Sequence, residues 1–381
     1  MTPPAGPAPD PAPRRNWIDW LEQRVNLSEI VSFVSHFGFV YTPVDSSRPV
    51  REVLRQVAAE PVPAIARGPR VLGLIAAILF GLEALTGILL ACWYRPTPEA
   101  AFPSTLTIAR DLPFGWFVHQ MHAWGAYLLI ALVSLRLLRL FWDGLYRAPR
   151  ELLWVSAVAL AWIVVQADFT GRLLPWDSHS YWSVVRGLEV VEAQPIVGPV
   201  LAYLVGGKVV NEDVLTRFYV LHLLIIPGLF MGFLYLTFAT LRRVGLSPLA
   251  ASAPQAPTTR YREHLLSMMV LSVLAFGVLV TLAVLAPLPF QNQADAYQTP
   301  PGVQPPWYML APYAMIERLP GPRWIKGAGL SVASLAVLLL PFAARGDETP
   351  AARRRFRLWG VVAIALWVAL AVFGAVLDRS R

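Results

Sequence analysis

Cysteine is almost missing from this sequence, and its scarcity excludes several kinds of site. Cys92 is the single cysteine among 381 residues. One thiol cannot build a disulfide framework, a cysteine-ligated iron–sulfur cluster or a C-x-x-C-H attachment for a c-type haem. Any haem in this chain is therefore expected to be held without a covalent bond.

Charge is scarce as well. Charged residues make up 15% of the chain, hydrophobic residues make up 56%, and the mean hydropathy is +0.52. Soluble domains average about 25% charged residues, so the composition indicates a membrane protein. Only two of the 32 basic residues are lysines, an arginine bias that suggests a bacterial source.

Long apolar runs are plentiful, and a membrane-spanning helix needs about 20 such residues. The runs predict an all-α membrane protein with seven transmembrane helices. They are Val71–Trp93, Trp116–Leu140, Leu152–Phe169, Phe218–Leu241, Leu265–Leu288, Ile325–Phe342 and Leu358–Leu377.

Arginines fall between the second and third, the fourth and fifth, and the sixth and seventh predicted spans. With a cytoplasmic N-terminus, all three loops face the cytoplasm, as the positive-inside rule requires. The C-terminus would then lie on the outer face of a bacterial inner membrane, and the absence of a basic soluble module argues against nucleic-acid binding. The arginines are Arg147, Arg150, Arg242, Arg243, Arg260, Arg262, Arg345, Arg353, Arg354, Arg355 and Arg357.

The flanking segments predict four units. Residues 1–70 hold a proline-rich lead without a signal-peptide h-region, an amphipathic surface helix over Asn16–Phe37, and an irregular stretch with a short helix near Val50–Ala59. The surface helix could instead pack on a partner protein. Residues 71–243 form the first membrane unit, 244–262 a linker rich in alanine, serine and proline, and 263–381 the second membrane unit.

Two histidines lie near the outer ends of the second and fourth predicted spans. His122 and His222 are expected at the same depth, and two imidazoles facing each other across a helical bundle can ligate the iron of a b-type haem. For either histidine alone, a hydrogen bond to a backbone carbonyl would be an adequate explanation. Their pairing favours the metal site.

A second pair of histidines is missing. Fourteen residues of helix return to the same face about 21 Å deeper. From His122 that position is Arg136, and from His222 it is Leu236, with Thr237 one residue further. None is a usual haem ligand, and Arg136 could simply extend toward the cytoplasmic surface.

Four stretches make the chain resemble cytochrome b of the quinol-oxidising bc and b–f complexes. Their sequences are TGILLACWYRPTPEAAFPS, GWFVHQMHAWGA, PRELLWVSAVALAWIVVQADFTGRLLPWDSHSYW and LTRFYVLHLLIIP. The second half resembles the small partner subunit of the b–f complex, and QPPWYM resembles the loop with the family's PEWY motif. The resemblance implies a four-helix haem-binding bundle fused to a three-helix C-terminal half.

The family binds two b haems, oxidises quinol at an outer site, passes electrons to a Rieske iron–sulfur protein and onward, and is dimeric. The resemblance therefore implies a Rieske protein or a c-type cytochrome as partner, quinol as substrate and a homodimer. His122 and His222 match the outer haem's ligands, Gly87 lies beside it, and His119 and Arg217 occupy basic positions near its propionates.

Several positions depart from the family. Arg136 and Leu236 or Thr237 replace the inner ligands, and Val71 stands where the b–f type has the cysteine for an extra covalent haem, so none is expected. Pro306 replaces the PEWY glutamate, which is thought to accept a quinol proton. In the third span, the small residues of the family are replaced by Ala157, Ala161 and Trp162. Larger side chains at these positions suggest a bundle that closes over the space of a missing inner haem.

Two acidic residues are candidates for proton transfer at the outer site. Glu83 replaces a glutamine of the family and Asp168 a glycine. Pairing with His119, Arg172 or a group that faces the haem is the alternative. Tyr308 is a third candidate catalytic residue, and Pro306, Trp307 and Tyr313 are predicted to frame the quinone pocket.

The sequence thus predicts a single-haem electron-transfer subunit of a quinol-oxidising respiratory complex. A non-catalytic scaffold that anchors Rieske or c-type cytochrome partners is the main alternative. The Pro306 change favours the scaffold, whereas the paired His122 and His222 oppose it. A haem-bearing anchor for an unrelated oxidoreductase, such as a molybdenum enzyme, is a third reading.

Overall fold

Seven long apolar helices dominate the computed structural model, which describes residues 17–22, 24–35, 44–63, 71–205, 209–244, 258–343 and 350–379. Each is long and apolar enough to cross a bilayer, which confirms the predicted all-α membrane fold. In chain order, these spans are Leu72–Ala91, Gly115–Trp142, Glu151–Leu173, Glu212–Val244, Tyr261–Leu285, Arg323–Ala343 and Arg354–Val376.

The first four spans form a bundle around one apolar core. Leu79, Ile130, Val164 and Phe230 come from the four different helices and are each at most 5% exposed. The fifth span packs against this bundle through Leu279, which is fully buried. The bundle therefore buries its own centre and leaves the outward faces of its helices for lipid.

The fourth span is not a regular helix. It consists of Glu212–Val220, a π turn at Leu221–Ile225, and Ile226–Val244. The Ile226 N–H bonds the Leu221 carbonyl, five residues back. Pro227 follows at once and has no N–H to donate, so the regular pattern cannot continue across this turn. The π turn adds one residue to the helix.

Shorter helices lie in the segments between the spans. They are Ala101–Arg110, Ser178–Glu192, Val197–Val205 and Leu310–Glu317, the last after a short turn at Trp307–Met309. The Asp177 carboxylate caps the second of these by accepting hydrogen bonds from the His179 and Ser180 N–H groups. This cap explains where that helix begins.

The single amphipathic helix expected over Asn16–Phe37 is two helices, Trp17–Glu22 and Leu27–Ser35. Asn26 separates them, and its side chain accepts a hydrogen bond from the Glu29 N–H at 3.0 Å, which starts a new helix. The short helix Val50–Ala59 has the predicted bounds. The lead before Trp17 and most of the predicted linker lie outside the described residues.

The two halves of the chain are tied together at several depths. The strand Pro61–Pro63 pairs antiparallel with Thr258–Arg260. Near the N-terminal end of the second span, the Gln120 side chain donates to and accepts from the backbone of Leu288, at 3.0 and 2.9 Å. These contacts hold the loop that follows the fifth span over that end of the bundle.

Candidate functional site

His122 of the second span and His222 of the fourth face each other across the bundle. Their ring centroids are 6.0 Å apart, and the ring planes stand at 84°. Metal–imidazole nitrogen bonds are about 2 Å long, so two bonds and the half-width of each ring add up to roughly this separation. The structure therefore brings together the two residues that the sequence predicts as ligands.

The hydrogen-bond partners of the two imidazoles bear on which ring nitrogen can bind a metal. His222 Nδ1 lies 2.9 Å from the Ala167 carbonyl, which can only accept, so Nδ1 carries the proton. His122 Nδ1 lies 3.1 Å from Oε2 of Glu83 and 3.0 Å from Oγ1 of Thr86. His222 therefore keeps the Nε2 lone pair for a metal, and His122 does the same in the tautomer whose Nδ1 donates to Glu83, an arrangement common for ligating histidines.

Two threonine–glycine pairs form matching cradles for the histidines. Thr86 and Gly87 of the first span contact His122, and Thr170 and Gly171 of the third span contact His222. A Cβ on Gly87 would lie 3.1 Å from Cε1 of His122, and one on Gly171 would lie 2.5 Å from Cε1 of His222. Gly87 was predicted beside the haem. The sequence analysis missed the other three, although the sequences EALTG and ADFTG carry the repeat at equal spacing.

The donor set fits a macrocycle-bound iron. Among the described residues, no group of three or more His, Cys, Asp or Glu side chains could hold a bare metal ion. His122 and His222 would hold the iron of such a macrocycle through their imidazole nitrogens. Two buried polar atoms close to the pair, Nδ1 of His119 and Oε1 of Glu83, have no hydrogen-bond partner within the described part of the chain and are free to meet polar groups of the ligand.

Asp168 connects the bundle to the loop that carries the WY pair. The Tyr308 hydroxyl donates to Oδ2 of Asp168 at 2.6 Å, and Arg172 donates to the same oxygen at 2.8 Å. Arg172 also donates to the Tyr127 hydroxyl at 3.1 Å. Burial and the negative charge of Asp168 raise the pKa of Tyr308 well above its usual value, so Tyr308 keeps its proton. The alternative pairing of Asp168 with Arg172 is the one observed.

The other residues predicted around the outer site are more dispersed. Pro306 is buried and begins the Trp307–Met309 turn, and Trp307 is 47% exposed. Tyr313 packs with Val190 in a separate cluster. Arg217 is exposed and donates to the Tyr203 carbonyl at 3.1 Å. Of Pro306, Trp307, Tyr308 and Tyr313, only Tyr308 has a hydrogen bond to a helix of the bundle among the described residues.

Fourteen residues after His122, the second span carries Arg136 and not a second histidine. Arg136 is 8% exposed and has no hydrogen-bond or ion-pair partner within the described segments. A Cβ on Gly73 would lie 2.9 Å from its Nε, so the guanidinium occupies the space beside that glycine. Gly73 precedes Gly87 by fourteen residues, as His122 precedes Arg136, so the Gly73–Arg136 contact is the counterpart of the Gly87–His122 contact about 21 Å further along the bundle.

The π turn decides which residue of the fourth span lies opposite. Four helical turns beyond His222, a regular helix would place Leu236 on the same face. Because the π turn adds one residue, Thr237 takes that position instead. Thr237 is 2% exposed, and its Oγ1 lies 2.9 Å from Oγ of Ser156 in the third span. The expectation that Trp162 helps to fill the bundle is wrong. Its side chain is 42% exposed and therefore lies on the face of the third span that points away from the bundle core.

Fold and site together define a class: a membrane bundle built to hold a metal macrocycle between two histidines. Family comparisons agree. The model described as Cytochrome b/b6/petB matches residues 58–245, and the one described as Cytochrome b(C-terminal)/b6/petD matches residues 293–380.

Individual relatives and a solved structure are similar over large parts of the chain. Cytochrome b6 of Heliobacterium modesticaldum is 38% identical over 200 residues, which are 52% of this chain and 94% of the relative. A cytochrome bc complex cytochrome b subunit of Chlorobaculum thiosulfatiphilum is 29% identical over 293 residues, 75% of this chain and 68% of the relative. A chain of a hyperthermophilic respiratory Complex III shares the fold, with a TM-score of 0.75, 23% identity and coverage of 95% and 96%.

The chain belongs to the cytochrome b family and is a membrane electron-transfer subunit. Membership implies a b-type haem, and the cradle of His122 and His222 suits it. The predicted resemblance is thereby confirmed.

Proposed function

We propose that this chain is a single-haem cytochrome b within a bacterial quinol-oxidising complex of the Rieske/cytochrome b type. The observation that carries the proposal is the close pair of imidazoles, His122 and His222, with Arg136 and Thr237 in place of a second pair. Its partners would be a Rieske iron–sulfur protein, a c-type cytochrome or both, and a second copy of the chain. Relatives named for a bc complex support this assignment.

The proposed placement is a bacterial inner membrane, with the N-terminus in the cytoplasm and the C-terminus on the outer face. Arginine-rich connections on one side support this orientation. The His122–His222 pair would then lie near the outer surface, close to the loop that carries Trp307 and Tyr308. Quinol and the external redox partners would approach from that side.

The residues of the outer site have different proposed roles in holding the haem. The haem, when bound, supplies a one-electron acceptor and donor. His122 and His222 would hold it, with Gly87 and Gly171 leaving room for close approach. His119, with an unpartnered buried Nδ1, and Arg217 would face its acidic groups. Arg136 and Thr237 would provide no second ligand pair among the described residues of the bundle, so electrons would exchange between quinol and an outer partner.

Tyr308 and Asp168 are proposed to handle the quinol proton, because Pro306 cannot. The Tyr308 hydroxyl keeps its proton and points it at Asp168, 2.6 Å away. A quinol at Trp307 would therefore meet a hydroxyl already linked to a carboxylate. Participation of Glu83 in proton transfer stays a prediction.

A non-catalytic scaffold is the second candidate, and Pro306 is the observation that favours it. The two can be separated by adding a reduced short-chain quinol to the purified complex and recording the haem absorption. Reduction that an outer-site quinol inhibitor blocks supports the proposed function. Haem that dithionite reduces but quinol never reduces supports the scaffold. His222→Leu, which removes one ligand, should abolish the signal in either case.

A further inference from the structure

The two histidines have chemically different second partners. Nδ1 of His222 donates to a neutral backbone carbonyl, that of Ala167, at 2.9 Å. Nδ1 of His122 instead lies 3.1 Å from a carboxylate oxygen, Oε2 of Glu83. Glu83 and Ala167 each precede a threonine–glycine pair by the same number of residues, so the two partners occupy equivalent places in the two cradles.

Glu83 is confined to this position. Its residue is 8% exposed, and its second oxygen, Oε1, is buried without a hydrogen-bond donor. A Cβ on Gly125 of the second span would lie 1.7 Å from Oε1. The carboxylate can therefore reach His122 only because residue 125 is glycine. No arginine or lysine within the described residues pairs with Glu83.

We infer that Glu83 is a positioning residue for His122 and that its carboxylate lowers the reduction potential of the haem. This inference rests on the proposed haem site. A hydrogen bond to a carboxylate increases the basicity of a ligating imidazole. Oxidised haem iron carries one more positive charge than reduced iron, and an imidazole that donates more strongly to the iron would therefore favour the oxidised form.

The test is an optical redox titration of the purified complex carrying Glu83→Gln. The amide keeps the shape and can still accept from Nδ1, so a purely structural role predicts an unchanged midpoint potential. The inference predicts a more positive midpoint at an unchanged haem content. Glu99→Gln is the matched control, because it makes the same change at an exposed residue and should leave the potential unaltered.

Two further variants keep the test decisive if Glu83→Gln binds haem poorly. Gly125→Ala should push the carboxylate off His122 without changing its charge, and should also shift the potential upward. Glu83→Leu should weaken haem retention by about 10- to 100-fold, the usual effect of removing a second-shell partner. Haem-replete Glu83→Gln and Gly125→Ala proteins with the parental potential would overturn the inference alone. A parent protein without haem would overturn it together with the proposed function.

Discussion

Gly171→Ala should loosen the haem by displacing one of its ligands. The new Cβ would lie 2.5 Å from Cε1 and 2.9 Å from Nδ1 of His222. Carbon atoms in contact normally keep about 3.5 Å or more, so the ring must move by about 1 Å. That movement strains the bond from Nδ1 to the Ala167 carbonyl, which is 2.9 Å long, and misplaces Nε2. Overpacking of this kind costs about 1–3 kcal/mol.

At about 1.4 kcal/mol per tenfold change, this cost corresponds to haem binding weakened by about 5- to 150-fold. The assay is the loss of haem to excess apomyoglobin, followed by absorbance. Gly228→Ala is the matched control, since nothing lies within 4 Å of its Cβ position and alanine favours a helix. Equal haem loss in both variants would refute the packing argument at Gly171.

Three changes elsewhere should alter thermal stability. Asp168→Leu leaves the Arg172 guanidinium buried without its carboxylate and should cost about 3–5 kcal/mol, whereas Asp143→Leu, which breaks a more exposed pair, should cost under about 1 kcal/mol; equal losses would contradict the ranking. Arg136→Leu removes a buried charge without a partner in the described chain and should stabilise by up to about 3 kcal/mol at unchanged haem content; a loss of stability would show that Arg136 has a favourable partner. Thr237→Val removes the hydrogen bond to Ser156 and should cost about 1 kcal/mol, with no cost speaking against that bond.

The spans were predictable because each rests on a long local signal. An apolar run of bilayer length needs no tertiary context, and an observed helix corresponds to every predicted run, although two helices end at Ala91 and Leu285, before the predicted ends at Trp93 and Leu288. The short helices between the spans were not predictable, because packing against residues far away in the sequence stabilises them. Val184 and Leu188, for example, are buried in a cluster with Phe218 from the fourth span, and such contacts leave no local pattern.

The candidate site was predictable where it depends on regular helix geometry and not where it depends on contacts between distant segments. His122 and His222 could be paired from depth alone, since straight helices of known rise fix depth. The link between Tyr308 and Asp168 spans 140 residues and depends on how a loop folds back. The choice of Thr237 over Leu236 depends on the π turn at Leu221–Ile225, which helical arithmetic with a constant period cannot include.

The haem content of the purified polypeptide tests the central claim most directly. Pyridine haemochrome against protein mass should give one b haem per chain, and an optical redox titration should fit a single one-electron component. Two haems per chain would show that Arg136 and Thr237 do not exclude an inner site. No haem would show that the paired imidazoles serve another purpose.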